Sequence, residues 1–238
     1  MDLAKGDLVK LDFTGSILST GTVFDTTDAE KAKQAGIFNQ QHKYAPRLVF
    51  YQMNDVIKGI EQVIPSLNLN EEKEVVLKPE DAFGKRNQDL IRTIPVKEFE
   101  KRGYTPLVGM VVDLNGSNGV IRAVSGGRVV VDFNHPLAGL DVKYNLKVIQ
   151  VIKEPLDKIN ALIENLDILG CTASINDKEI VLEFQSASIN EDFVTKKIQL
   201  IMLLQTHMQE FSRITVRETY VSEGSMDDKS KEKEKNSN

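Results

Sequence analysis

The sequence predicts an α+β fold: a β-rich domain with one short helix over about residues 1–152, a small β meander set late within it, and an α-β-β-α-β unit after Pro155. Three observations carry this expectation. In "LVKLDFTGSI", Val9, Leu11 and Phe13 alternate with Lys10, Asp12 and Thr14, which is the period of a half-buried strand. Up to residue 131, short β-branched runs are separated by the Gly/Asn turns "NGSNG" and "SGG", the pattern of linked hairpins. Beyond Pro155, Leu156, Ile159, Ile163 and Leu166 form one helical stripe that stops at Gly170.

Each element follows in order. "STGTVFDTT" turns at a glycine and returns as a short strand carrying Phe24 and Asp25. Residues 28–46 are a polar excursion with a helical turn at 28–35, closed by Pro46. "RLVFYQ" is a strand. In "MNDVIKGIEQVIPSLN", Val56, Ile60 and Val63 fall at helical spacing, and Pro65 ends the helix. "EEKEVVLKP" is a strand and "EDAFG" a loop closed by Gly84. "IPVKEFEKRG" is a helical turn ended by Gly103, and the strands "GMVVDL", "VIRAV" and "RVVVDF" make the meander. "DVKYNLKVIQVI" places Val142, Tyr144, Leu146 and Val148 on one face of a long strand. In the last unit, "CTASI" and "EIVLEF" flank "NDK" as a hairpin. Ser188 and Glu191 read as a capping box before a helix over roughly 191–210, with Val194, Ile198, Ile201 and Met208 along one side. "SRITVRETYV" is the last strand, and residues 223–238 have the composition of a disordered tail.

Composition narrows the function. With 41% hydrophobic and 27% charged residues, the chain can bury a core. A net charge of −5 argues against non-specific nucleic-acid binding. No apolar run reaches the roughly 18–20 residues of a membrane span. The alternating start "MDLAKGDLVKLDF" lacks an apolar signal core, so a cytoplasmic chain is expected. The single cysteine, Cys171, cannot close an internal disulfide. It reads as a small buried hydrophobe, because nothing beside it in sequence would activate it as a nucleophile. The three histidines, His42, His135 and His207, lie at no ligand spacing, so neither a metal nor a cofactor is expected. No phosphate loop and no nucleophile–base set is readable. What stands out is a set of apolar side chains beside one acid, near strand ends and turns: Phe13, Phe24, Asp25, Val56, Ile57, Phe83 and Tyr144. Each apolar member taken alone also fits a plain core.

Three separated stretches, "VKLDFTGSI…GTVFDTT", "DVIKGIEQVIPSLNLNEEKEVVLKPEDAFG" and "DFNHPLAGLDVKYNLKVIQV", together resemble the FKBP peptidyl-prolyl isomerases. The likeness is closest to the SlyD-like branch, in which a small β domain is inserted in the flap. The polar loop 28–46 and the extra C-terminal unit are similar to long archaeal-type members. The resemblance covers about residues 1–152. It implies an FKBP-like antiparallel sheet wrapped on a short helix, formed by 1–86 plus 132–153. A β-rich insert would occupy 87–131, a C-terminal α+β domain 154–222 and a tail 223–238.

The resemblance further implies an enzyme that speeds X-Pro isomerisation. It assigns Phe13, Phe24, Asp25, Val56, Ile57, Phe83 and Tyr144 to the catalytic pocket, and Ile60, His135, Pro136 and Leu137 to substrate binding. There are departures: Ile60 stands where many members have Trp, Phe83 where Tyr is frequent, and Tyr144 where Phe is common. The His-rich tail of some SlyD proteins is absent, so nickel binding is not carried over. His135 reads as a pocket wall, a hydrogen-bonding group, a general base or part of a plain turn. The insert reads as a chaperone domain or as a structural flap with its own core. The expected partners are unfolded or partly folded proline-containing polypeptides, with no nucleic acid and no membrane. The segment "IQLIMLLQTHMQEF" is apolar on more than one face, through Ile198, Leu200, Ile201, Leu203 and Leu204, and this suggests a homodimer through the C-terminal domain. A holdase with little catalysis is the competing reading.

Overall fold

The computed structural model describes residues 1–114, 116–185 and 190–220. The expected tail at 223–238 and the Ser188 half of the expected capping box lie outside these residues.

The first sheet is built on two long strands, β1 (Leu8–Ile17) and, late in the chain, β9 (Val142–Ile152). They pair antiparallel along their whole length. The other edge of β1 is shared by β2 (Val23–Thr26) and β3 (Arg47–Phe50), and β4 (Glu72–Leu77) pairs with β9. All of these pairings are antiparallel, as the alternating patterns require. Between β2 and β3, α1 (Ala29–Gln34) starts at Asp28, whose carboxylate accepts from the Glu30 and Lys31 N–H groups. The short helix α2 (Lys58–Val63) runs on into a 3-10 turn at Ile64–Ser66, where Pro65 sits without cost. Val56 and Ile57 therefore precede the helix and are not on it. The sheet face carrying Leu11, Phe13, Tyr144, Leu146 and Val148 buries Ile60, Ile64 and Leu67 of this segment.

The second sheet is the insert. It has four strands, one more than the sequence suggested: β5 (Ile91–Pro95), β6 (Val111–Leu114), β7 (Ser117–Ser125) and β8 (Arg128–Asp132), in the order β5-β8-β7-β6. A single-turn helix, α3 (Val96–Glu100), drops Phe99 into a core with Val112, Ile121, Val129 and Val131. The junction with the first sheet is polar and buried. Asp132 pairs with Arg86 and Arg122, and Asn134 Nδ2 donates to Asp132 at 2.8 Å. Asn134 also exchanges hydrogen bonds with the Asn87 backbone at 2.8 and 2.9 Å, so the segments entering and leaving the insert are tied together.

The C-terminal unit comprises α4 (Pro155–Asn165), β10 (Cys171–Asn176), β11 (Glu179–Phe184), α5 (Glu191–His207) and β12 (Arg213–Glu218). β10 pairs antiparallel and β12 parallel with β11. The N-cap of α5 is Asn190, whose side chain accepts from the Phe193 N–H at 2.8 Å. The buried stripe of α5 is Leu200 and Leu204, while of the four residues expected along one side Val194 and Ile198 are 36% and 50% exposed and Met208, just past the helix end, is buried. This unit does not keep its core to itself. Leu8, Phe50 and Ile152 of the first sheet pack into it, and Lys158 of α4 reaches Asp7 at 3.8 Å with both groups buried. Cys171 is half-buried against the same core, and burial pushes its thiol up to about 11.

Candidate active site

Four rings converge over the middle of the first sheet. Phe24 meets Phe83 and Tyr144 edge to face, at centroid distances of 5.6 and 5.7 Å, and Phe13 lies tilted against Tyr144 at 6.1 Å. Such edge-to-face contacts bring a ring's positive rim to a neighbour's negative face. The register explains the convergence. Gly15 of β1 is opposite both Asp25 of β2 and Tyr144 of β9, so one row crosses three strands. A Cβ at Gly15 would lie 2.8 Å from the Phe24 ring and 2.8 Å from the Tyr144 ring. The strand can hold two rings over that point only because the residue has no side chain.

The remaining wall is delivered by the β3–α2 loop. Gln52 and Asn54 take left-handed φ values of 58° and 62°, and the Asp55 carboxylate accepts from the Phe50 N–H at 2.8 Å. This tight loop brings Val56 and Ile57 against the buried Ile60, and all three pack with the ring cluster. Tyr144 is buried, and burial followed by the nearby Asp25 charge holds its hydroxyl well above the ordinary tyrosine range, with Arg47 opposing. It stays a neutral hydrogen-bonding group at any physiological pH.

His135 reaches the site from the return segment. Its ring stacks on Phe83 at 4.7 Å and an angle of 3°, and its Nδ1 accepts from the Leu137 N–H at 3.2 Å. Pro136 is exposed and Leu137 half-buried, and neither packs into the ring cluster. Phe13, Phe24, Val56, Ile57, Ile60, Phe83 and Tyr144 are thus brought together, with Asp25 in the Gly15 row and the exposed His135 ring stacked on Phe83. Gly15 was absent from the residues singled out in sequence, although a glycine inside a strand pattern is itself a signal of close approach. Among the described residues, no group of three His, Cys, Asp or Glu side chains could hold a metal ion. No described helix is long and apolar enough to cross a membrane.

The chain is similar to known proteins over two stretches. The model of the FKBP-type peptidyl-prolyl cis-trans isomerase family matches residues 2–99, and the model described as FKBP26, IF domain, matches residues 92–137. A short-type peptidyl-prolyl cis-trans isomerase of Methanocaldococcus jannaschii is 34% identical over 146 residues, which is 61% of this chain and 92% of that protein. An FKBP-type 16 kDa peptidyl-prolyl cis-trans isomerase of Escherichia coli K12 is 35% identical over 99 residues, 40% of this chain and 66% of the relative. The SlyD isomerase of Vibrio cholerae is 31% identical over 128 residues, 52% of this chain and 63% of the relative. Matched over nearly the whole of the archaeal relative at 34% identity, the chain belongs to the FKBP-type peptidyl-prolyl cis-trans isomerases.

Proposed function

We propose that the ring cluster is the cup in which this isomerase turns over X-Pro bonds of folding polypeptides. The exchange breaks no covalent bond. Its barrier of about 20 kcal/mol reflects the amide resonance lost as the C–N bond twists. A catalyst must therefore hold the twisted imide more tightly than the planar one. The twisted imide carries less charge on its carbonyl oxygen, so an apolar cup that withholds water penalises the planar state more. No proton needs to move. The observation that carries the reading is the edge-to-face packing of Phe24 with Phe83 and Tyr144 over a strand glycine, beside a single carboxylate, Asp25. In this reading Asp25 orients Tyr144, His135 backs the Phe83 wall, and Pro136 and Leu137 form the substrate-facing rim.

Tetrapeptide isomerisation tests it. Phe24→Ala should lower turnover at least about tenfold, in line with the loss of one well-placed catalytic contact. Asp25→Ala should cost more than about twofold. The rate should stay flat between about pH 5.5 and 8, since His135 is no general base here. A silent Phe24→Ala would remove the cup from the account.

The insert, 87–131, supports a second role within the same reading: capture of unfolded clients. Phe99, Val112, Ile121, Val129 and Val131 already close a core, yet Leu107, Val108 and Val111 are 64%, 67% and 66% exposed beside Tyr104. Such a surface suits extended apolar segments and would deliver their prolines to the cup. The C-terminal unit, 154–222, supports a homodimer, because α5 leaves Val194, Ile198 and Met202 outward while Leu200 and Leu204 face its own core. Light scattering at tens of micromolar that gives only monomer would end that part. A lone thiol suits the reducing cytoplasm.

A further inference from the structure

Between the first sheet and the C-terminal unit lies a cleft of about 560 Å³. That falls within the roughly 300–1,000 Å³ range of small-ligand sites. One wall carries Phe13, Asp25 and Arg47, and the other carries Leu162 of α4, Leu166 at its C-cap and Leu203 of α5. Phe13 belongs to the ring cluster, and the Asp25 and Arg47 charges both reach the Tyr144 hydroxyl. The cleft therefore opens beside the cup and shares part of its wall.

Its two sides are held at a fixed separation. The His207 ring lies flat on Phe50, at 4.2 Å and an angle of 2°, with Nε2 3.6 Å from Asp55. Lys43 donates to the Asn165 carbonyl oxygen at 3.0 Å and to the Asp167 carboxylate at 2.7 Å, bridging the loop after α1 to the end of α4. The buried Lys158–Asp7 pair gives a third link. Walls pinned this way make a preformed recess, and preformed recesses bind without a large ordering cost. The lining is mixed on both sides: Asp25, Arg47 and Asp55 stand with Leu48 and Phe50 on one, and Leu162, Leu166 and Leu203 with Asn165 and Gln199 on the other, so an apolar side chain finds leucines to pack on while its backbone finds polar groups at the edge.

We propose that this cleft is a second substrate subsite, which takes an apolar side chain of the same polypeptide a few residues from the reacting proline. The inference rests on the assignment of the ring cluster as the isomerisation cup. Its consequence is selectivity for prolines set in apolar stretches, which are the stretches a folded protein buries.

The test uses the full chain and a series of peptides longer than a tetrapeptide, with the residues next to the proline held constant and Leu or Ser placed in turn at each position two or more residues from it. The readout is the ratio of kcat/KM for the Leu and Ser forms. At one or more positions the ratio should be about fivefold, as partial burial of a leucine side chain implies. Leu166→Ser with Leu203→Ser should bring it close to one. Gln199→Trp, which fills the cleft from its exposed rim, should do the same. Glu210→Ser, exposed after the end of α5 and away from the cleft, should leave the ratio as it is. A ratio near one at every position in the unaltered chain overturns the proposal, and so does a ratio that survives both cleft changes. Phe24→Ala separates the two layers. Full turnover in that variant sinks the cup assignment, whereas the Leu/Ser ratios in the cleft variants judge the cleft itself.

Discussion

At Gly15 an added methyl group would lie 2.8 Å from each of two rings, well inside van der Waals contact. Gly15→Ala should therefore push Phe24 and Tyr144 apart. We expect tetrapeptide turnover to fall about tenfold or more and stability to drop by about 1–3 kcal/mol, the usual cost of overpacking, measured by peptide kinetics and urea unfolding. Asp132 gives a prediction in pH. Burial alone would raise its carboxyl, but the Asn134 hydrogen bonds and the Arg86 and Arg122 partners outweigh burial and hold it below the ordinary carboxylate range. A carboxyl lowered in the folded state contributes its stability above the unfolded value of about 3.9, and that contribution is lost as pH falls through the folded value. Asp132→Asn should thus lower the urea midpoint at pH 7, with a deficit that shrinks below about pH 4. The rings were legible in sequence because alternation assigns Phe13 and Tyr144 to inner faces of strands. The His135–Phe83 stack was not, since no local pattern reports which ring a distant loop will lie against.

At the scale of elements, the helices and most strands follow from periodicity, and the misses have local causes. β5 reads as a helix approach because "IRTIP" runs into Pro95 and a charged segment, yet a proline is tolerated at the end of an edge strand, and β5 is one. The inward stripe of α5 was not legible, because the helix is apolar on several sides and periodicity alone does not choose among them. Burial does choose, so Leu204→Ala should cost about 2–5 kcal/mol in urea unfolding. Leu107→Ser with Val108→Ser, both in the exposed loop of the insert, should change stability by no more than about 0.5 kcal/mol. The same pair should reduce acceleration of protein folding while tetrapeptide turnover persists.

At the scale of the whole molecule, three sheets are joined by two different kinds of junction. The insert hangs on a buried polar network around Asp132 and Asn134, whereas the C-terminal unit shares an apolar core with Leu8, Phe50 and Ile152. The order of the units was legible from glycine-rich turns and from Pro155. The junctions were not, because they join residues far apart in sequence whose types fit a separate core equally well. The central claim is that one cup acts on prolines that the insert presents. Its most direct test is the refolding rate of a protein limited by a trans-to-cis proline, with the unaltered chain, the Leu107→Ser/Val108→Ser chain and Phe24→Ala. The account predicts strong acceleration by the first, a large loss with the second on the protein but not on a tetrapeptide, and a loss on both with the third. Suppression of aggregation without acceleration by any of the three would contradict it and leave a holdase on an isomerase fold.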